Sequence, residues 1–114
     1  MLADSRSRQE TIEDENRAAC PVVRAVETVG TPWRLHVVYA LRDGELRFNE
    51  LKRAIGARSK TLSAALDELV DAGVVERRME EDAPVAVYYR LNEAGHDLAD
   101  VLADLGAWAR GTLD

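Results

Sequence analysis

Ser59 to Arg78 reads SKTLSAALDELVDAGVVERR, and this stretch decides the fold. Leu62, Leu66 and Leu69 fall at i, i+4 and i+7, which puts them on one apolar stripe of a helix. Ser59 is a candidate N-cap, because its hydroxyl can accept a bond from an orphan N–H of the first turn. Gly73 is a natural stop, since glycine takes the left-handed conformation after a helix at no steric cost. Val74 and Val75 then change the period from helix to strand. The opposite helix face carries Lys60, Ala64, Asp67 and Asp71, and what that face touches is the functional question.

Downstream, Val74–Met79 and Val85–Leu91 are strand-like runs joined by Glu80-Glu81-Asp82-Ala83-Pro84, which predicts a hairpin. Asn92 caps a long last helix with apolar positions at Leu98, Val101, Leu102, Leu105, Trp108 and Ala109. That stripe is long for a terminal helix on a small domain and predicts burial against a second subunit. Upstream, Pro21 and Pro32 each suit a first helical position, where the missing N–H would be unpaired anyway. Val22, Val23, Val26 and Val29 give the earlier helix an apolar face that ends at Gly30. Thr31 caps the next helix, Trp33–Arg42, which Asp43-Gly44 closes. Leu46-Arg47-Phe48 is a short extended piece, and Asn49–Ile55 is a helix that Gly56 breaks. Residues 1–18 are polar and charged and predict a flexible arm, leaving 19–114 as one domain. Two short helices across a tight glycine-containing turn, followed by a hairpin, make a winged helix-turn-helix. The expected class is therefore mainly α with a small β-hairpin wing (α+β) and a long C-terminal dimerisation helix.

Composition narrows the partners. With 114 residues and 46% apolar content the chain can build one core. No apolar run approaches the ~20 residues that cross a bilayer, so no membrane partner is expected and the cytoplasm is the default compartment. One cysteine, Cys20, excludes an internal disulfide and any cysteine-rich zinc site. His36 and His96 lack partners at metal-ligand spacing, so neither a metal nor a cofactor is expected, and no catalytic constellation is present. The net charge of −6 is unusual for a nucleic-acid binder, but it is unevenly spread. From Arg34 to Lys60 seven basic residues face three acidic ones, while from Asn92 onward one arginine faces five acids. The basic patch matters more than the total.

Four segments carry a family likeness: CPVVRAVETVG at 20–30, Trp33, ELRFNELKRAIGARSKTLSAALDELVDAGVVERR at 45–78 and YYRLNEAG at 88–95. Together they resemble the HxlR-type winged helix-turn-helix transcriptional regulators. The resemblance implies a homodimeric, sequence-specific regulator of double-stranded DNA whose terminal helices build the dimer interface. Val22 and Val26 of the early helix would join Leu98, Val101, Leu102, Leu105 and Trp108 there. The recognition helix would span about 59–72 and lie in the major groove, with hairpin 74–91 as the wing. Three departures stand out: Pro32 where the family has lysine, Ala64, Ala65 and Asp67 where amide or basic residues are common, and Ala86 where the wing often has arginine. Each removes a cation or adds an anion on the expected DNA side.

The DNA-contact candidates follow. Lys60 and Thr61 lie near the helix N-terminus, where the dipole favours phosphate. Ser63 can donate to a phosphate or base edge, and Ala64 offers only an apolar contact, for instance to a thymine methyl. Arg58 and Ser59 precede them, and Arg47 and Asn49 flank the helix pair. Arg77 and Arg78 are strand neighbours, so they point to opposite faces and only one can meet DNA. Trp33, Tyr88 and Tyr89 are read as core or wing packing. Cys20 sits where some family members sense oxidants, which makes a thiol-responsive regulator one expectation; a small-molecule effector is the other, with no residue pointing to its identity. Only two of fifteen basic residues are lysine and acids exceed bases by six, a balance suited to a salt-rich cytosol where long-range attraction is screened. The rival reading is a winged-helix module that has lost DNA binding and pairs proteins.

Overall fold

The computed structural model describes residue 12 and residues 19–81 and 85–114. Two compact units divide the chain, Met1–Gly30 and Thr31–Asp114. The arm expected over 1–18 lies outside the described residues except for Ile12, as do residues 82–84 of the hairpin tip.

In the first unit the described helix is α1, Pro21–Val29. Cys20 is its N-cap in an extended conformation, Pro21 opens the first turn, and the Gly30 N–H donates to the Val26 carbonyl at 2.8 Å.

The second unit runs α2 (Pro32–Ala40), β1 (Leu46–Arg47), α3 (Phe48–Ile55), α4 (Ser59–Asp71), β2 (Val75–Glu80), β3 (Ala86–Leu91) and α5 (Glu93–Thr112). The Thr31 hydroxyl accepts from the Arg34 N–H at 3.4 Å and Pro32 follows, as the sequence predicts for a helix start. Helix α2 is the hub and packs on α3, α4 and α5. Val37, Val38 and Leu41 are fully buried there with Leu51 of α3 and Leu62, Leu66 and Leu69 of α4. Burying each such side chain contributes roughly 1.5–3 kcal/mol, so this cluster holds the helix pair against α2.

One boundary moves. The first intrahelical bond of α4 runs from the Leu62 N–H to the Arg58 carbonyl at 2.9 Å, so Arg58 is the N-cap and Ser59 is already helical. The Arg58 side chain makes no cap bond, which leaves the first turn's donors unbound by a cap. At the other end Gly73 has φ +77°, the left-handed turn expected there.

The three strands form an antiparallel sheet in the order β1-β3-β2, with Val75 opposite Leu91 at the base and Glu80 opposite Ala86 towards the tip. Helix α5 leaves the sheet at Asn92, whose Oδ1 accepts from the Gly95 N–H at 2.9 Å. A Cβ at Gly95 would collide with the Val74 carbonyl oxygen, so only glycine permits this close approach. The result is a winged helix-turn-helix, mainly α with a small antiparallel sheet.

Candidate nucleic-acid interface

The leucine stripe turns one side of α4 into the core and leaves the other to solvent. Arg58, Ser59, Lys60, Ser63 and Ala64 are exposed, and Thr61 is half-buried. Lys60, Thr61 and Ala64 line a cleft with Trp33 and Arg34 of α2. Its far end is closed by Glu68, which pairs with Arg34 at 3.4 Å and ties the recognition helix to α2. No carboxylate pairs with Arg58, Lys60 or Arg77 among the described residues. Asp67 and Asp71 share the outward stripe with Lys60 and Ala64, but they lie one to three turns nearer the C-terminus.

The wing resolves the choice between Arg77 and Arg78. Arg78 faces Tyr88 across the strands and Arg77 faces the buried Tyr89, so the two side chains stand on opposite faces. Arg78 bonds the Glu45 carboxylate through Nε at 3.3 Å and through Nη2, approaches Glu80 at 3.9 Å, and lies 4.5 Å from the Tyr88 ring centroid. Its hydrogen bond holds the Glu45 carboxyl below the usual carboxylate range, with partial desolvation opposing. Arg77 remains exposed on the face shared with Val75 and Tyr89, and is the wing arginine left for a phosphate.

Trp33 departs from expectation. It is 41% exposed rather than packed in the core or wing, and its ring stacks on His36 with centroids 6.4 Å apart and planes 13° from parallel. Tyr89 is core, as read from the sequence, while Tyr88 is half-buried between Arg47 and Arg78. Sequence reasoning missed both the Arg34–Glu68 tie and this arrangement. Their only signal is register, because partners such as Arg78 and Glu45 are 33 residues apart in the chain.

On α5, Val101, Leu105 and Trp108 are 60%, 52% and 56% exposed, while Leu98 and Leu102 are half-buried. On α1, Val22 and Val26 are exposed. Cys20 is half-buried with a free thiol that makes no cap bond. No group of three or more histidine, cysteine or carboxylate side chains suits a metal ion, and no helix is long and apolar enough to cross a membrane, among the described residues.

The family model for the HxlR-like helix-turn-helix matches residues 28–114. The HTH-type transcriptional regulator YodB of Bacillus subtilis (strain 168) is 36% identical over 92 residues, covering 79% of this chain and 82% of the relative. The uncharacterized HTH-type transcriptional regulator YybR of the same organism is 30% identical over 100 residues, covering 87% and 80%. Among solved structures, the reduced form of YodB from B. subtilis superposes with a TM-score of 0.71 at 34% identity over 82% of this chain and 93% of that one. The redox regulator HypR in its oxidized form gives 0.76 at 30% identity, over 83% and 99%.

Proposed function

This chain belongs to the HxlR-like helix-turn-helix family and is a winged helix-turn-helix transcriptional regulator; on that premise we propose that it is a homodimer that binds selected sequences in double-stranded DNA. The observation that carries the reading is the N-terminal half of α4. It is exposed, anchored from behind by Leu62, Leu66 and Leu69, and bears in Lys60 a cation with no acidic partner among the described residues. In this docking the first turns of α4 enter the major groove, Lys60 and Thr61 reach phosphate or base edges, and Arg77 of the wing meets the backbone. Asp67 and Asp71 then sit away from the nearest phosphates. The apolar stripe of α5 mates with that of a second copy, Val22 and Val26 of α1 add to the same surface, and the two recognition helices lie ~34 Å apart. Few bidentate side chains line α4, so selectivity draws on DNA shape as well as base contacts.

The test is fluorescence anisotropy against fragments selected from the source genome. Replacing Arg58 and Lys60 together by alanine should weaken binding by two of the roughly 0.9-per-phosphate salt increments. Equal binding by the double variant, or no selective binding by the wild type at any salt, rejects the reading.

Thiol control extends the proposal. Cys20 caps α1 next to its N-terminal dipole, which favours a thiolate, and a similar structure is that of a redox regulator. Cys20→Ser should abolish any change in DNA affinity on adding oxidant; an identical oxidant response in both proteins removes Cys20 from the mechanism. The competing reading, a module that pairs proteins, draws on Asp67 and Asp71 in the outward stripe, and it predicts no duplex binding at all.

A further inference from the structure

Three arginines stand on the outer face of the sheet, Arg47 on β1, Arg78 on β2 and Arg90 on β3. Two of them are neutralised: Arg78 by Glu45, and Arg90 by Glu76 at 2.9 Å. Arg47 is different. It lies opposite Tyr88 in the strand register, and its Nε and Nη2 both donate to the Tyr88 hydroxyl oxygen, at 3.1 and 2.9 Å. Its partner is therefore a neutral phenol, which fixes the guanidinium in place without cancelling its charge. No carboxylate pairs with Arg47 among the described residues; Glu50 instead accepts from the Arg47 backbone N–H at 2.9 Å, which turns that acid toward the helix start.

Arg47 opens onto a cleft of about 570 Å³ between α3 and the start of β3. Arg53 and Asn49 line it from α3, and Val85 and Val87 line it from the wing. Arg53 is exposed and likewise has no acidic partner among the described residues. The cleft thus offers two unneutralised guanidinium groups and an amide on one wall, an apolar second wall, and a position between the helix pair and the wing. A duplex touched by both must run its sugar–phosphate strand past this gap.

We propose that this cleft grips a phosphodiester of the DNA strand lying between the groove entered by α4 and the wing, with Arg47 and Arg53 as the phosphate ligands and Tyr88 as the positioning residue for Arg47. The assignment rests on the DNA-binding reading above. It supplies a cation pair that compensates for the sparse outward face of α4, and because phosphates carry no base identity it adds affinity without selectivity.

The experiment measures duplex affinity against salt for the full chain on a selected fragment and on a scrambled one. Arg47→Ala should lower the slope of log K on log salt by about 0.9, an approximately eightfold loss near 0.1 M salt, and equally on both duplexes. Tyr88→Phe should weaken binding while keeping the wild-type slope, since the cation stays and only its hold is lost. A melting curve like that of the wild type establishes that each variant is folded. An unchanged slope in folded Arg47→Ala, with Lys60→Ala still impaired, overturns the cleft assignment and leaves the DNA reading standing. Absence of duplex binding by the wild type overturns both. Displacement of duplex by inorganic phosphate beyond that by chloride at matched ionic strength, lost in Arg47→Ala, would make the cleft a free-phosphate site and overturn its assignment to DNA.

Discussion

The Asn92 side-chain amide donates to the Gly73 carbonyl at 2.6 Å, joining the turn after the recognition helix to the start of α5. The same side chain caps α5 by accepting from the Gly95 N–H, and the Asn92 backbone N–H donates to the Val74 carbonyl at 3.2 Å. One residue therefore fixes where α5 departs from the end of α4. Asn92→Ala should cost about 1–2 kcal/mol in urea unfolding, because cap and tether go together. Asn92→Asp, which keeps the acceptor and loses the donor, should fall between. Wild-type stability in both variants would contradict this role.

The Glu45–Arg78 pair predicts a pH response of fixed sign. Glu45 is held below the usual carboxylate range by its hydrogen bond from Arg78, so the stabilisation is present above that range and lost as pH falls through the lowered value. Arg78→Ala should raise the Glu45 midpoint in a carboxyl-carbon NMR titration towards the ordinary value near 4.5. No rise would mean that the pair does not persist in solution. Both groups are solvent-exposed, so the effect on global stability should be small.

Helix α5 predicts the assembly. Leu105→Glu with Trp108→Glu places two charges in the exposed apolar stripe, and sedimentation equilibrium should report a monomer where the wild type is a dimer. Its thermal midpoint should not rise above that of the wild type, since dimer formation adds stability by mass action. A wild-type monomer at micromolar concentration would rule out the α5 interface.

Charge balance makes a third kind of prediction. With 21 acids against 15 bases, self-repulsion weakens as salt screens it, so the melting temperature should rise with KCl. A midpoint that is highest at low KCl and falls as salt is added would exclude adaptation to a salt-rich cytosol.

Much of this was legible because local chemistry and tertiary packing agree. The leucine spacing in 59–71, the Thr31-Pro32 start, the Asn92 cap and the left-handed Gly73 each reappear in the structure. The first residue of α4 was not legible: Ser59 is a good cap by type, yet the backbone turn begins at Arg58. Strand alternation showed that only one of Arg77 and Arg78 could meet DNA, but not which one. That depends on Glu45, brought alongside β2 by the fold rather than by the chain. Trp33 looked like core because of its size, whereas the α2 core positions go to Val37, Val38 and Leu41 and the indole is left outside on His36. In each miss the deciding partner is remote in sequence.

Ala64 carries a consequence for how such regulators diverge. It sits exposed in the reading stripe between Lys60 and Asp67, while its neighbours Ala65 and Leu66 face the core. If α4 enters the major groove as proposed, this methyl is a silent letter in the reading head. Asparagine there would add a bidentate partner for adenine and arginine one for guanine, each worth about 1–3 kcal/mol of discrimination. Neither would disturb a buried side chain. A duplicated copy of the gene could thus acquire a new operator through a single codon, with the scaffold and its assembly inherited intact.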